Sequence, residues 1–313
     1  MYREILPNLY LIEIPLPKTP LKVLNSYLLK GPERNLLIDT GLNLRECAET
    51  MDSALRQLDV RLDQTDLFIT HMHADHSGLV AHLAHSTSKI YCSQPDAEII
   101  FNDILSEQGW EKVFVGALDH GFPAEELALI PESHPGYQYA PPKEVKFTEV
   151  RDGDPVSNGD YHFVCMATPG HTRGHMCLYE ADKKLLISGD HILDDITPNI
   201  SSFDLEGWDP LGEYLAHLDQ VYRMDVELTL PGHRRLIHDV RKRIDQLKQH
   251  HQERIDEIMT VVRRGSAANA YQIASQVKWD INCKSWDDFP LAQKWFATGE
   301  VVAHLRYVQG QQG

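Results

Sequence analysis

Runs of apolar and β-branched residues at 9–14, 23–30 and 35–39 predict three strands, set apart by Pro15, Pro17, Pro20 and the pair Gly31-Pro32. Residues 44–58 space their apolar side chains as a surface helix does. A buried strand is expected at 66–70, a helix starting near Ser77, and a short strand at 89–93. From Pro95 the pattern turns helical to about residue 109, with Ala97, Ile100, Phe101, Ile104 and Leu105 at helical spacing. Residues 110–142 read as irregular, punctuated by Gly116, Gly121, Pro123, Pro131, Pro135, Gly136, Pro141 and Pro142. Strands resume at 145–150, 161–168, 176–180 and 185–188, with turns at Asp152-Gly153-Asp154 and Asp182-Lys183-Lys184. A helix at 210–222 and a strand at 227–230 follow, then helical runs at 236–262, 270–279 and 291–307. Periodicity alone gives a mixed α/β chain.

A chain of 313 residues suffices for one large domain and a small one. The net charge of −16 is uneven: the acidic excess lies in residues 1–240, and residues 241–313 are mildly basic, so a division is expected near residue 240. The acidic body excludes tight, nonspecific nucleic-acid binding over the whole surface. No run is long and apolar enough to span a membrane, and the first residues lack the basic-then-apolar layout of a signal peptide. The five cysteines are odd in number and form no CxxC pair, which predicts reduced thiols in a cytoplasmic protein.

The candidate chemistry sits in Thr70-His71-Met72-His73-Ala74-Asp75-His76-Ser77-Gly78. His71, His73, Asp75 and His76 cannot share one face of a regular helix or strand, so the run is read as a loop that turns them onto one point. Imidazole and carboxylate together suit zinc, iron or manganese better than magnesium or calcium. Three later stretches supply more such ligands: Thr168-Pro169-Gly170-His171, Ser188-Gly189-Asp190 and Leu230-Pro231-Gly232-His233. Each follows an apolar run and places its ligand just after a small residue, which allows close approach.

This HxHxDH loop, followed by His171, Asp190 and His233, resembles the metallo-β-lactamase superfamily over roughly residues 1–240. The resemblance implies an αββα sandwich with the catalytic domain at 1–240, and residues 95–142 are read as an insertion capping the metal site. It implies two divalent ions, zinc above all with iron or manganese as alternatives. His71, His73 and His171 would hold the first, Asp75, His76 and His233 the second, and Asp190 would bridge them. Asp75 and Asp190 would be the catalytic carboxylates, and Asp39 would support the loop from behind the ligands. The helical tail, 241–313, resembles the small winged-helix-like domain of one branch, although the chain stops where the wing should begin.

The reaction implied is hydrolysis of a small, anionic ester, thioester or phosphoester by a metal-bridging hydroxide. Alternatives are an endoribonuclease or phosphodiesterase acting on RNA, a single-iron sulfur dioxygenase, and a non-catalytic, metal-stabilised nucleic-acid-binding module. Secreted β-lactamases of this fold use a different second-site set, which argues against antibiotic hydrolysis. A homodimer is a further expectation. Arg234 and Arg235 stand where many relatives carry Gly and Pro. With Tyr137 and Tyr139 in the cap, they are the candidate substrate contacts.

Overall fold

Alternation along the strands sorts apolar side chains onto the two faces of each of two sheets. The first sheet runs in sequence order: β1 (Tyr2–Leu6), β2 (Leu9–Leu16), β3 (Lys22–Leu29), β4 (Asn35–Ile38), β5 (Thr65–Phe68), β6 (Ile90–Cys92) and β7 (Thr148–Glu149). The second holds β8 (Pro155–Asn158), β9 (Tyr161–Ala167), β10 (Met176–Glu180), β11 (Leu185–Gly189) and β12 (Leu228–Pro231), in the order β12-β11-β10-β9-β8. The helices are α1 (Arg45–Gln57), α2 (Ala74–Ser77), α3 (Val80–Leu83), α4 (Gln94–Phe101), α5 (Glu107–Asp119), α6 (Ala124–Leu127), α7 (Ile130–Ser133) and α8 (Pro135–Gln138), then α9 (Pro210–Tyr222), α10 (Val240–Arg264), α11 (Ala270–Ala274) and α12 (Leu291–Gly310). This computed structural model describes residues 1–17, 19–101, 107–139, 145–203, 207–281 and 283–311, apart from the side chains of 101, 107–109, 135 and 137.

Period two decides the layering. Leu36 and Ile38 of β4 face the second sheet, where they meet Leu185 and Ile187 of β11 and Met176 and Leu178 of β10. Their neighbour Leu37 points the other way, into a core with Cys47, Met51 and Leu55 of α1 and Val80 of α3. Leu186 and Cys177 likewise leave the inter-sheet core for Leu211, Tyr214 and Leu218 of α9. The result is helix, sheet, sheet, helix, the αββα order.

Several boundaries differ from the pattern. β2 runs through Pro15 to Leu16, although prolines were expected to end it. Past Ile12 this strand has β3 on one side and no register partner in β1, so the missing N–H of Pro15 breaks no ladder there. The strands β1 and β8 were missed because each is short, largely exposed and at a sheet edge. The long helix begins at Val240, not 236, because Ile237 bridges back to Thr229 and the Asp239 carboxylate caps the helix by accepting from Lys242 N. The region expected to be irregular carries α5, which turns Trp110, Phe114 and Ala117 toward one core.

That core joins two parts of the chain that are remote in sequence. Trp110, Ala117, Phe122 and Ile130 of the insertion pack with Ala270, Ile273, Trp295, Val301 and Val302 of the tail. α10 contributes to both ends, with Ile244 and Leu247 under the second sheet and Ile258 and Val261 in the core shared with the insertion. Lys294 Nζ donates to Glu126 Oε1 at 2.7 Å and Tyr271 Oη to Glu126 Oε2 at 3.1 Å, a polar clasp across the same seam. Residues after Pro231 form helices, and no strand of a wing occurs among the described residues.

Near this seam Glu300 is paired with Arg254 at 3.1 Å. Burial pushes its carboxyl up to about 7, against the pull of Arg254. A carboxyl whose folded pKa exceeds its unfolded value of 4.5 binds an extra proton when folded, so stability is highest below 4.5 and falls as pH rises through 7. Between pH 5 and 8 the wild type should therefore lose on the order of 2 kcal/mol relative to Glu300→Gln. Denaturation curves that stay parallel across this range would refute the assignment.

Candidate metal centre

Four loops meet at one rim of the sandwich because their strands end there. β5 leads into the His71–His76 loop, and β9, β11 and β12 lead to His171, Asp190 and His233. β11 and β12 are parallel, and β9 shares their direction because β10 is antiparallel to both β9 and β11. Glycine is required where the loops touch. A Cβ on Gly232 would lie 2.5 Å from Asp190 Oδ1 and 2.7 Å from His76 Cε1. Gly189 has φ +47°, and a Cβ there would meet His175 Nε2 at 2.8 Å.

The local turn after β5 is held by backbone. His76 N and Ser77 N both donate to His73 O, and Thr40 N donates to His76 O. His71 and His76 are fully buried. Each ligand histidine but His73 is anchored through Nδ1, which turns Nε2 inward and leaves that atom without a partner in His76, His171 and His233. His76 Nδ1 donates to Asp39 Oδ2 at 2.7 Å, His171 Nδ1 to Asn199 O at 2.8 Å, and His233 Nδ1 to Val23 O at 2.8 Å. Thr70 Oγ1 donates to Asp39 Oδ2 at 2.8 Å, so at 3.0 Å it accepts from His71 Nδ1. Asp39 Oδ1 also accepts from Thr70 N at 2.9 Å, so one carboxylate braces two histidines. Outward N–H groups tied in this way fix ring orientation and tautomer.

The inward atoms converge. His71 Nε2 lies 3.1 Å from His73 Nδ1. Asp190 Oδ1 lies 3.4 Å from His76 Nε2, and Oδ2 lies 3.7 Å from His171 Nε2 and 3.5 Å from His233 Nε2. Asp75 Oδ2 is 3.3 Å from His233 Nε2. Donors about 2.0–2.2 Å from one ion sit roughly 3–3.5 Å apart, so these separations suit metal ligands. His71, His73 and His171 form one such group, Asp75, His76 and His233 another, and His71, His76 and Asp190 a third that lies between them.

Two observations show that cations fit this site. His76 Nε2, His171 Nε2, His233 Nε2 and Asp190 Oδ1 are buried without a hydrogen-bond partner, a costly arrangement that a metal would relieve. The charges agree. Burial, then the neighbouring imidazoles, hold His71 well below its usual range, and burial lowers His73 to about 3, so both are neutral donors. Burial also depresses His76, but Asp39, Asp190 and Asp75 outweigh it and hold the ring well above its usual range. Three carboxylates gathered around one ring thus favour positive charge at this point.

His175 and His191 are packed, not aimed inward. His175 Nε2 accepts from Asp190 N at 3.1 Å and its Nδ1 donates to Thr168 Oγ1 at 2.8 Å. Among the candidate substrate contacts, Arg235 Nε donates to Asp194 Oδ2 at 2.7 Å from an exposed position. Arg234 has φ +70°, which explains why glycine suits that position, and its Nε lies 3.5 Å from Asp195 Oδ1. Tyr139 is half-buried against the core outside the first sheet, and the side chain of Tyr137 lies outside the described residues.

Two supporting residues had no signal in the pattern. Asn25 of β3 donates Nδ2 to Pro231 O and Arg234 O, gripping the His233 loop from both sides. Asp96, on the first turn of α4, is fully buried and accepts from Met72 N, Thr172 Oγ1 and Gly174 N. In sequence it resembles any acid at a helix start.

A two-sheet sandwich with a buried His/Asp centre at its rim defines a metal-dependent hydrolase. A profile of the family described as the metallo-beta-lactamase superfamily matches residues 20–233, and the chain belongs to that family. It is 27% identical over 222 residues to the acyl-coenzyme A thioesterase MBLAC2 of Homo sapiens, covering 67% of this chain and 72% of that protein. It is 25% identical over 265 residues to the probable metallo-hydrolase YqjP of Bacillus subtilis, 80% of this chain and 79% of that one. The crystal structure of a metallo-beta-lactamase family protein from Thermus thermophilus superposes with a TM-score of 0.80 at 26% identity, covering 99% and 95% of the two chains. No helix among the described residues is long and apolar enough to cross a membrane.

Proposed function

We propose that this chain hydrolyses a small anionic thioester at a dinuclear centre. His71, His73 and His171 would hold one divalent ion and Asp75, His76 and His233 the other, with Asp190 within reach of both. The observation that carries this reading is the convergence of seven donors, among which His76, His171 and His233 Nε2 and Asp190 Oδ1 are buried without a hydrogen-bond partner. Two divalent ions, zinc above all, would lower the pKa of a shared water toward neutrality and polarise the carbonyl under attack. Asp75, held at about 2 by His76 and His233 against the pull of burial, stays an acceptor that can orient that water. Asp39 fixes His76, and the buried rings of His71 and His76 keep bulk solvent from the floor of the site.

A thioester also suits what surrounds the centre. A thiol has a pKa near 8.5, so it leaves as the anion without a general acid. The likeness to thioesterases over two thirds of the chain points the same way. The catalytic part is 1–240, and the reduced cysteines fit a cytoplasmic setting, since all five are free. A screen of metal-loaded protein against thioesters, oxygen esters, lactones, phosphodiesters and RNA tests the assignment. Thioester turnover with two ions per chain is expected. Turnover of phosphodiesters or RNA alone, or a single iron per chain, would overturn it.

Arg234 is the candidate anchor for the substrate's negative charge, because it adjoins His233 and can exchange Asp195 for a ligand. Arg234→Ala should weaken a charged thioester by about 1.5–3 kcal/mol in kcat/KM and leave a neutral one unchanged. Equal effects on both substrates would return the side chain to a purely structural role.

A further inference from the structure

We infer that Asp96 is a positioning residue that locks the two loops carrying His71, His73 and His171 into one three-histidine group. This rests on the ligand reading given above. The carboxylate reaches both loops at once. Its Oδ2 accepts from Met72 N at 2.9 Å, the amide between His71 and His73. The same oxygen accepts from Thr172 Oγ1 at 2.6 Å, and Oδ1 accepts from Gly174 N at 2.7 Å, both just past His171. The two loops come from different sheets, since one follows β5 and the other follows β9.

The surroundings are shaped for the carboxylate. A Cβ on Gly174 would lie 2.6 Å from Asp96 Oδ1, 2.7 Å from Asp96 N and 2.2 Å from Ser93 Oγ, so only glycine lets the carboxylate reach that amide. All three donors point at acceptor lone pairs, and an amide side chain would set its NH2 against at least one of them. The second group receives no bond from Asp96. His76 leans on Asp39 and His233 on Val23 O. Asp96 bonds directly beside His71, His73 and His171, whereas Asp75 and His76 stand further along the loop without a bond to it, so its larger effect falls on the first metal position.

The test isolates each position. His233→Ala removes a donor from the second group and should leave one Zn2+ on His71, His73 and His171. His171→Ala should do the reverse. Zn2+ affinity is read by competition with a chromophoric chelator, and Co2+ absorption reports the geometry of the remaining site. Asp96→Asn in the His233→Ala background should weaken Zn2+ roughly tenfold to a hundredfold and alter the Co2+ spectrum. In the His171→Ala background it should change affinity less than about twofold. Thr172→Val removes one of the three bonds and keeps the acid, so it should give a smaller shift in the same direction with an unchanged melting temperature. This milder variant decides the matter if Asp96→Asn folds poorly. Equal weakening in both backgrounds, or none in either, overturns the role of Asp96 alone. A His233→Ala protein that keeps the wild-type ion count overturns the ligand assignment, and this inference with it.

Discussion

Asp190→Ala should bind less than the wild-type complement of metal and lose hydrolytic activity by about a thousandfold or more, about 4 kcal/mol of transition-state stabilisation. The size of the effect follows from position. Among the described residues Asp190 is the carboxylate whose oxygens face donors of both groups, at 3.4 Å from His76, 3.7 Å from His171 and 3.5 Å from His233. On the proposed assignment its removal takes a ligand from each ion at once, where loss of His73 or His233 takes one ligand from one ion. Its backbone amide still donates to His175 Nε2, so the turn after β11 keeps its anchor. The metal-free variant should therefore melt close to metal-free wild type, which separates lost chemistry from lost fold. Elemental analysis and steady-state kinetics on the same samples check both halves. A fully active variant holding two ions would remove Asp190 from the centre.

Trp295→Ala should destabilise the protein by about 3–5 kcal/mol, the range for truncating a large buried aromatic. Trp295 is 5% exposed. Its ring centroid lies 4.4 Å from Phe203, 5.7 Å from Phe122, 6.0 Å from Phe114 and 6.3 Å from Trp110, so it touches the insertion from the tail. Denaturant unfolding measures the loss, and a change below about 1 kcal/mol would show that tail and insertion are not packed as one core. Deleting 265–313 exposes the same apolar face and should cause aggregation.

The candidate metal centre was legible because its chemistry needs particular residue types within a few positions. His71, His73, Asp75 and His76 stand together in the chain, and His171, Asp190 and His233 each close an apolar run with a small residue before the ligand. The layers were legible for a similar reason: period two in β4, β10 and β11 sorts side chains between cores. The core shared by insertion and tail was not. Trp110 and Trp295 are joined by contact alone, and such pairs leave no periodic trace. Asp96 was invisible because a first-turn acid is ordinary, and its partners include two backbone amides, which no residue type announces. Arg234 and Arg235 were read from the sequence as candidate substrate contacts, and the structure places Asp195 and Asp194 beside them.

The seam between insertion and tail also sets an order of events during synthesis. α5 leaves the ribosome well before α12, and at about 5–20 residues per second the gap is on the order of ten seconds or more. Throughout that interval Trp110, Phe114 and Phe122 have no Trp295 to bury them. The two sheets, closed by β12, can assemble first, while the core shared with the insertion must wait for the last helix. A nascent chain that stalls before α12 would carry every proposed metal ligand and an open, sticky apolar face, which makes this stretch the natural place for a chaperone to bind.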